Sequence, residues 1–269
     1  MSFIYDKGES GRDVRHEYFW RVAHEALEET RAEYGDYVLK SSRLSRESRR
    51  MYVLEHDLGD INFTIAPYQP DLEGKLIMVH IPADRGLMGY RVMMIRRAAQ
   101  ERFDRISTAA DLHSLRFGLM ESWVAAQVLQ SNGLDVVGGS SYEGLFRMLA
   151  GSRFDALDRS AAEIVPEYDS HAADLPDIAI EKHVLLHYPM ADYFWFTDTK
   201  DGRRRAERIE LGLRRMVANG ALKRIFDERF GPALKRLDLR SRHVVELSNP
   251  LADTRPALAN PALWYRPEE

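Results

Sequence analysis

The sequence predicts an α/β protein in which short strands alternate with amphipathic helices. Two observations carry that expectation. Short apolar segments bounded by Gly, Pro or Asn recur along the chain, and the stretches between them place apolar residues at helical spacing. A third observation concerns size: at 269 residues the chain fits either one large domain or two lobes of ordinary size.

Taken in order, Phe3 to Tyr5 reads as a strand, followed by a Gly-rich turn and a helix from about Val14 to Ala32. On that helix Val14, Tyr18, Val22 and Ala26 recur every fourth position. Gly35 ends it, and Tyr37 to Leu39 resumes as a strand. A second helix is expected from Ser45 to His56, and Ile61 to Ile65 alternates as a strand before Pro67. This is the βαβ grammar of a largely parallel sheet. Leu76 to Ile81 and Gly89 to Ile95 are further strands, and Asp111 to Leu115 reads as a short helix feeding a strand at Phe117 to Leu119. Then follow a helix from Ser122 to Gln130, a strand at Asp135 to Val137, a helix from Tyr142 to Leu149 and a strand at Phe154 to Leu157. A helix near Ala161 to Tyr168 precedes strand-like sequence from His183 to Phe196.

Composition narrows the function classes. Hydrophobic residues make up 45% and charged residues 30%, the balance of a globular chain able to bury a core. No apolar run approaches the roughly 20 residues that cross a bilayer, so membrane insertion is not expected. The formal net charge of -4 is mild and the basic residues are dispersed, so nucleic acid is not an expected partner. The absence of cysteine removes disulfides, thiolate metal sites and a cysteine nucleophile together, and suits an oxidising compartment. The N-terminal residues Met1 to Asp6 show no basic stretch followed by an apolar one, so an export signal, if the protein is exported, is absent from the chain shown.

Between Asp201 and Gly231 two amphipathic segments, Arg205 to Val217 and Ala221 to Phe230, are separated by Asn219-Gly220, with Gly231 expected to close the second. Ile209, Leu213, Met216 and Val217 line one face of the first; Leu222, Ile225, Phe226 and Phe230 line the second. A helix pair ending NGALKRIFDERFG resembles the closing element of type II periplasmic solute-binding proteins. Four other stretches resemble a bacterial subgroup of those proteins: IPADRGLMGYRVMMI (Ile81 to Ile95), ESWVAAQVLQSNGLDVV (Glu121 to Val137), LFRMLAGSRFDAL (Leu145 to Leu157) and the tail RHVVELSNPL with LWYRP. Each is unspecific alone; their order and spacing cover nearly the whole chain.

The resemblance implies a type II fold of two α/β lobes, each a mainly parallel sheet flanked by helices, joined by two hinge strands. Residues 1–96 and 193–269 would form lobe one and 97–192 an inserted lobe two. It further implies an extracytoplasmic, periplasmic, monomeric protein that needs no cofactor and hands its ligand to a membrane permease of an ATP-binding-cassette (ABC) transporter or to a sensor. The ligand expected is a small polar molecule, anionic or amino-acid-like, held in an interlobe cleft.

Ligands of open α/β sheets bind outside the carboxyl ends of the strands, where helix N-termini present unpaired N–H groups. Three segments qualify. After Ile65, Tyr68 can stack on a ligand and Gln69 can hydrogen-bond, or the segment is a proline-bounded turn. After Leu119 come Glu121, Ser122 and Trp123, with Ser122 as the expected N-cap and Trp123 either packed beneath its helix or facing the ligand. After Leu157, Arg159 can clamp a carboxylate through its planar fork, or form an ion pair with Glu163 or Glu167; Ser160 adjoins it. Tyr5 and Arg85 are weaker candidates. In the amino-acid-binding members an arginine of a Thr-x-x-Arg turn holds the ligand carboxylate and an aspartate in lobe two holds its ammonium. Those positions fall near Lys75 and Ser160, so the clamp departs from the pattern, and a lysine offers a point charge without bidentate geometry.

Catalytic motifs are absent: there is no HExxH, P-loop or GxSxG sequence, and His80, His183 and His187 lie in strand-like sequence as structural histidines do. Two other classes remain open at this stage, a signalling module without transport and an enzyme on the same fold such as a cyclohexadienyl dehydratase. For the latter Glu121 and Glu163 are the acid–base candidates.

Overall fold

In the computed structural model, residues 1–8, 13, 15–43, 47–255 and 259–268 are described. Val14 and Ser45, where the sequence pattern starts two helices, lie outside them. In chain order the elements are β1 (Ser2–Tyr5), α1 (Glu17–Glu28), α2 (Arg31–Tyr34), β2 (Val38–Ser41), α3 (Glu47–Glu55), β3 (Phe63–Pro67) and β4 (Leu76–Met78). Next come β5 (Tyr90–Arg96), α4 (Gln100–Phe103), β6 (Arg116–Met120), α5 (Val124–Ser131), β7 (Asp135–Gly139), α6 (Tyr142–Ala150), β8 (Ala156–Ser160) and α7 (Ile164–His171). The last are β9 (Ile178–Ile180), β10 (Val184–His187), β11 (Asp192–Thr197), α8 (Lys200–Ala218), α9 (Ala221–Leu237) and β12 (His243–Glu246). No helix among the described residues is long and apolar enough to cross a membrane.

The chain forms two compact units. Unit 1 holds Met1–Gly86, Ala191–Phe230 and Asp253–Tyr265; unit 2 holds Leu87–Met190, Gly231–Ala252 and Arg266–Glu269. The expected partition differs most at Gly231–Ala252, which groups with unit 2 rather than with the first lobe. The reason is strand pairing: β12 joins β10 in parallel, Val184 opposite His243 and His187 opposite Glu246.

In unit 1, β1 and β2 pair in parallel, while β11 runs antiparallel between β3 and β4 with Trp195 opposite both Thr64 and Met78. The Asn62 N–H donates to the Ile4 carbonyl at 2.9 Å, which ties β1 to the segment leading into β3. Apolar alternation builds the core: the Phe63 ring lies edge-on to Phe3 at 5.7 Å and stacks on Phe196 at 5.6 Å. Helix α8 begins at Thr199, whose hydroxyl accepts the Gly202 N–H at 3.0 Å. It packs on α1 so closely that a Cβ on Gly212 would sit 2.1 Å from the Ala26 carbonyl oxygen.

In unit 2 the strand order is β12-β10-β5-β8-β6-β7, with β9 also on β5. Strands β6, β7 and β8 are parallel, as their helical crossovers require, and β5 runs against β8, β9 and β10. The sheet core is fully buried: Val92, Met93, Met94 and Ile95 of β5 and Phe117 and Leu119 of β6 are 0% exposed.

Gly231 does not close the second of the paired helices. Helix α9 continues through Gly231 and Pro232 to Leu237, because Ala233 and Leu237 are buried and their packing outweighs the hydrogen bond that Pro232 cannot make.

Candidate functional site

The carboxyl ends of the unit 2 strands converge on a buried ionic cluster. Strand β8 places Asp158, Arg159 and Ser160 in sequence, all at 2% exposure or less. The Arg159 guanidinium donates through Nε and Nη2 to the two carboxylate oxygens of Glu167 on α7, both at 2.6 Å, and Nη2 lies 3.0 Å from Glu163. Its face covers the Trp123 ring at 4.6 Å. The Tyr142 hydroxyl of α6 donates to Glu167 at 2.9 Å, and the Ser160 N–H donates to Glu163 at 3.3 Å. Beside them, Arg91 of β5 binds Asp158 through Nε at 3.1 Å and Nη2 at 2.8 Å. Burial alone would draw the Arg91 proton off, but the Asp158 carboxylate holds it charged well above the ordinary arginine range.

In the pairs described, Arg91 holds Asp158 and Arg159 holds Glu163 and Glu167. The Tyr188 hydroxyl is fully buried with no hydrogen-bond partner among the described residues, and burial pushes its titration far above that of a free phenol.

This geometry alters several sequence expectations. Arg159 is not poised as an anion clamp, since Glu167 occupies its fork and Glu163 adds a second carboxylate; the ion-pair alternative is the one the structure holds. Ser122 is not an N-cap: α5 starts at Val124 with Trp123 in the cap position, because the chain turns at Glu121 and Ser122, both exposed. Trp123 is buried at 6% exposure beside the cluster. Glu121 lies over Gly138, where a Cβ would meet its carboxylate at 2.3 Å. Ser160 donates to the Leu87 carbonyl at 3.3 Å and accepts the Ala162 N–H at 3.0 Å. Trp123, Arg159, Ser160 and Glu163 are therefore brought together in unit 2, with Glu121 and Ser122 at the turn before Trp123.

The unit 1 candidates are dispersed. Tyr5 stacks on Trp20 at 4.3 Å and serves the core; burial raises its titration. Tyr68 donates to Glu73 at 2.6 Å beneath the Arg255 guanidinium, 5.4 Å from its ring. The neighbouring Gln69 has a buried Nε2 without a partner. Lys75 is half exposed and 3.3 Å from Glu55, a surface ion pair rather than a buried cation. Arg85 has a left-handed backbone (φ 53°), donates to the Trp264 carbonyl at 3.1 Å and lies 5.3 Å from the Phe226 ring. Its role is to hold the C-terminal segment against unit 1.

A second buried cluster escaped the sequence reading. Asp6, directly after β1, accepts from Gly8 N–H at 2.9 Å, Arg50 Nη1 at 3.1 Å and the Thr64 hydroxyl at 3.1 Å, with His16 Nδ1 3.7 Å away. Its position at a strand's carboxyl end was the available signal. The partners come from α3, β3 and the turn before α1, and no local pattern joins them. Among the described residues no group of three or more His, Asp or Glu side chains is placed to hold a metal ion.

No family model matches the chain, and no curated protein matches it in sequence. Solved structures do. An ancestral arginine-binding protein bound to arginine superposes with a TM-score of 0.61 at 14% identity, covering 86% of this chain and 98% of that one. A Salmonella typhimurium periplasmic binding protein with high arginine specificity gives 0.59 at 17% identity, covering 85% and 99%. The GluR0 ligand-binding core from Nostoc punctiforme, in complex with L-glutamate, gives 0.57 at 14%, covering 86% and 100%. The chain therefore has the type II periplasmic-binding-protein fold.

Proposed function

We propose that this protein is an extracytoplasmic solute-binding protein that captures a small amino-acid-like molecule at the carboxyl-end wall of unit 2. The likeness to amino-acid-binding structures over almost their full length supports binding rather than catalysis. The single observation that carries the ligand class is the likeness of the fold to structures holding arginine and L-glutamate. A ligand of that class brings an ammonium, which a carboxylate such as Glu163 can accept from. Trp123, held by Arg159, supplies the flat apolar wall, and Glu163 is the acceptor. No step needs a cofactor. The partner in this reading is a membrane permease of an ABC transporter. Sensing is the second reading, supported by the likeness to the GluR0 ligand-binding core.

A thermal-shift screen against amino acids, polyamines, organic acids and oxyanions, followed by calorimetry on the hits, tests the proposal. A hit carrying an ammonium group is expected, with Trp123→Ala and Glu163→Gln each weakening it tenfold or more. A tight oxyanion or dicarboxylate ligand, or affinities unchanged in both variants, would overturn it.

A further inference from the structure

Unit 2 contains a cavity of about 390 Å³ formed by none of the residues of the Arg159 cluster. Strand register explains how it arises. Leu185 lies opposite Val244, and His187 lies opposite both Glu246 and Tyr90. Cross-strand partners and residues two apart share a face, so these five side chains line one surface of β5, β10 and β12. Leu239, Arg240, Pro267 and Glu268 complete the enclosure.

The lining has a definite chemistry. Leu185 is buried, whereas Val244 is 47% exposed, a large aliphatic side chain on a strand that opens onto the cavity. The Tyr90 ring lies 4.5 Å from the His187 ring at an angle of 34°, forming an aromatic shelf. His187 Nδ1 is 2.7 Å from the Glu246 carboxylate, which orients the imidazole. Arg240 donates to the Pro267 carbonyl. Two carboxylates, Glu246 and Glu268, thus border the cavity against one guanidinium.

We propose that this cavity is a second small-molecule site, separate from the solute site above, and that it takes an aromatic amine. A flat ring can lie over the sheet face made by the Tyr90–His187 shelf and the Leu185–Val244 floor. The ammonium is drawn to Glu246 and Glu268 and to the π face of the shelf. The volume lies within the span typical of small-ligand pockets, roughly 300–1,000 Å³.

Calorimetry with tyramine and with 3-(4-hydroxyphenyl)propanoate, the same ring bearing a carboxylate, tests the site. Tyramine is expected to bind at about millimolar affinity or tighter, and at least tenfold tighter than the acid. Val244→Trp, which fills the cavity from an exposed position, is expected to abolish binding, and Glu246→Gln to narrow the preference for the amine. Because both positions are exposed, each variant should melt within a few degrees of the parent chain; if Val244→Trp does not, Glu246→Gln alone decides. The proposal fails if tyramine gives no binding at millimolar concentration, if the two compounds bind equally, or if binding survives Val244→Trp. Loss of tyramine binding in Glu163→Gln would place the amine in the solute site and also overturn it.

Discussion

Asp6 and Arg50 are both almost completely buried, and each makes the other's charge tolerable. Burial pushes the Asp6 carboxyl up, but Arg50, His16 and the Gly8 N–H pull it further down, so in the fold it titrates well below the usual carboxylate range. A depressed folded value means that this stabilisation is complete above the unfolded carboxyl's pKa, about 3.9, and fades as pH falls below it toward the folded value. Asp6→Asn should therefore flatten the acid limb of stability against pH, read from urea midpoints between neutral and about pH 3; an unaltered slope would count against the cluster. At neutral pH, Asp6→Ala should cost about 3–5 kcal/mol, because it removes a buried carboxylate that accepts from Arg50, Thr64 and the Gly8 N–H. Arg159→Met should cost a similar amount, since Glu163 and Glu167 would lose the guanidinium they share. Adding Glu167→Gln to Arg159→Met is expected to recover part of that loss, and a double-mutant cycle in urea measures the coupling. These partnerships were only partly legible. Glu163 and Glu167 follow Arg159 by four and eight residues and were near enough in sequence to be named as its ion-pair partners, whereas Asp6, Arg50 and Thr64 meet only through the packing of separate elements.

At the scale of the element, two glycines in long helices have opposite reasons to be there. Gly212 of α8 lets the α1 backbone approach, and a Cβ there would lie 2.1 Å from the Ala26 carbonyl oxygen. Gly231 of α9 has no more distant residue within 4 Å of where its Cβ would stand, but the Pro232 ring follows it directly. Gly212→Ala is expected to destabilise unit 1 by about 1–3 kcal/mol through overpacking. Gly231→Ala would gain roughly 0.5–1 kcal/mol of helix propensity, but its Cβ would crowd the Pro232 ring, since a residue before proline is disfavoured in helical backbone. The denaturant midpoint of Gly212→Ala should therefore fall further than that of Gly231→Ala. The sequence pattern located both helices yet stopped the second at Gly231. Glycine followed by proline is locally a helix terminator, and only the burial of Ala233 and Leu237 reveals why the helix goes on.

For the whole molecule, ligand capture has a thermodynamic signature that needs no knowledge of mechanism. A solute bound only by the folded chain at a hundred times its dissociation constant adds about 2.7 kcal/mol. For a chain of 269 residues that corresponds to a rise in melting temperature of roughly 5–10 °C, readable by differential scanning fluorimetry. The alternation of strands and helices was enough to expect the α/β class, and particular stretches such as NGALKRIFDERFG carried the type II resemblance. The division of the chain was less legible. Residues Gly231–Ala252 belong with unit 2 because β12 adds to β10, a pairing between segments more than fifty residues apart in sequence.

Period and punctuation in the chain determined which segments became helices and strands, since apolar spacing and turn residues act over a few neighbours. They also determined that no thiol chemistry is available, and that Trp123, Arg159 and Glu163 stand near the ends of sheet strands. Only the tertiary structure decided what those side chains do. It closed the fork of Arg159 on two glutamates, moved the cap of α5 to Trp123 and assembled Asp6 with Arg50. The physical reason is that the state of a buried charge depends on what surrounds it in space, and a linear pattern carries no record of its distant neighbours.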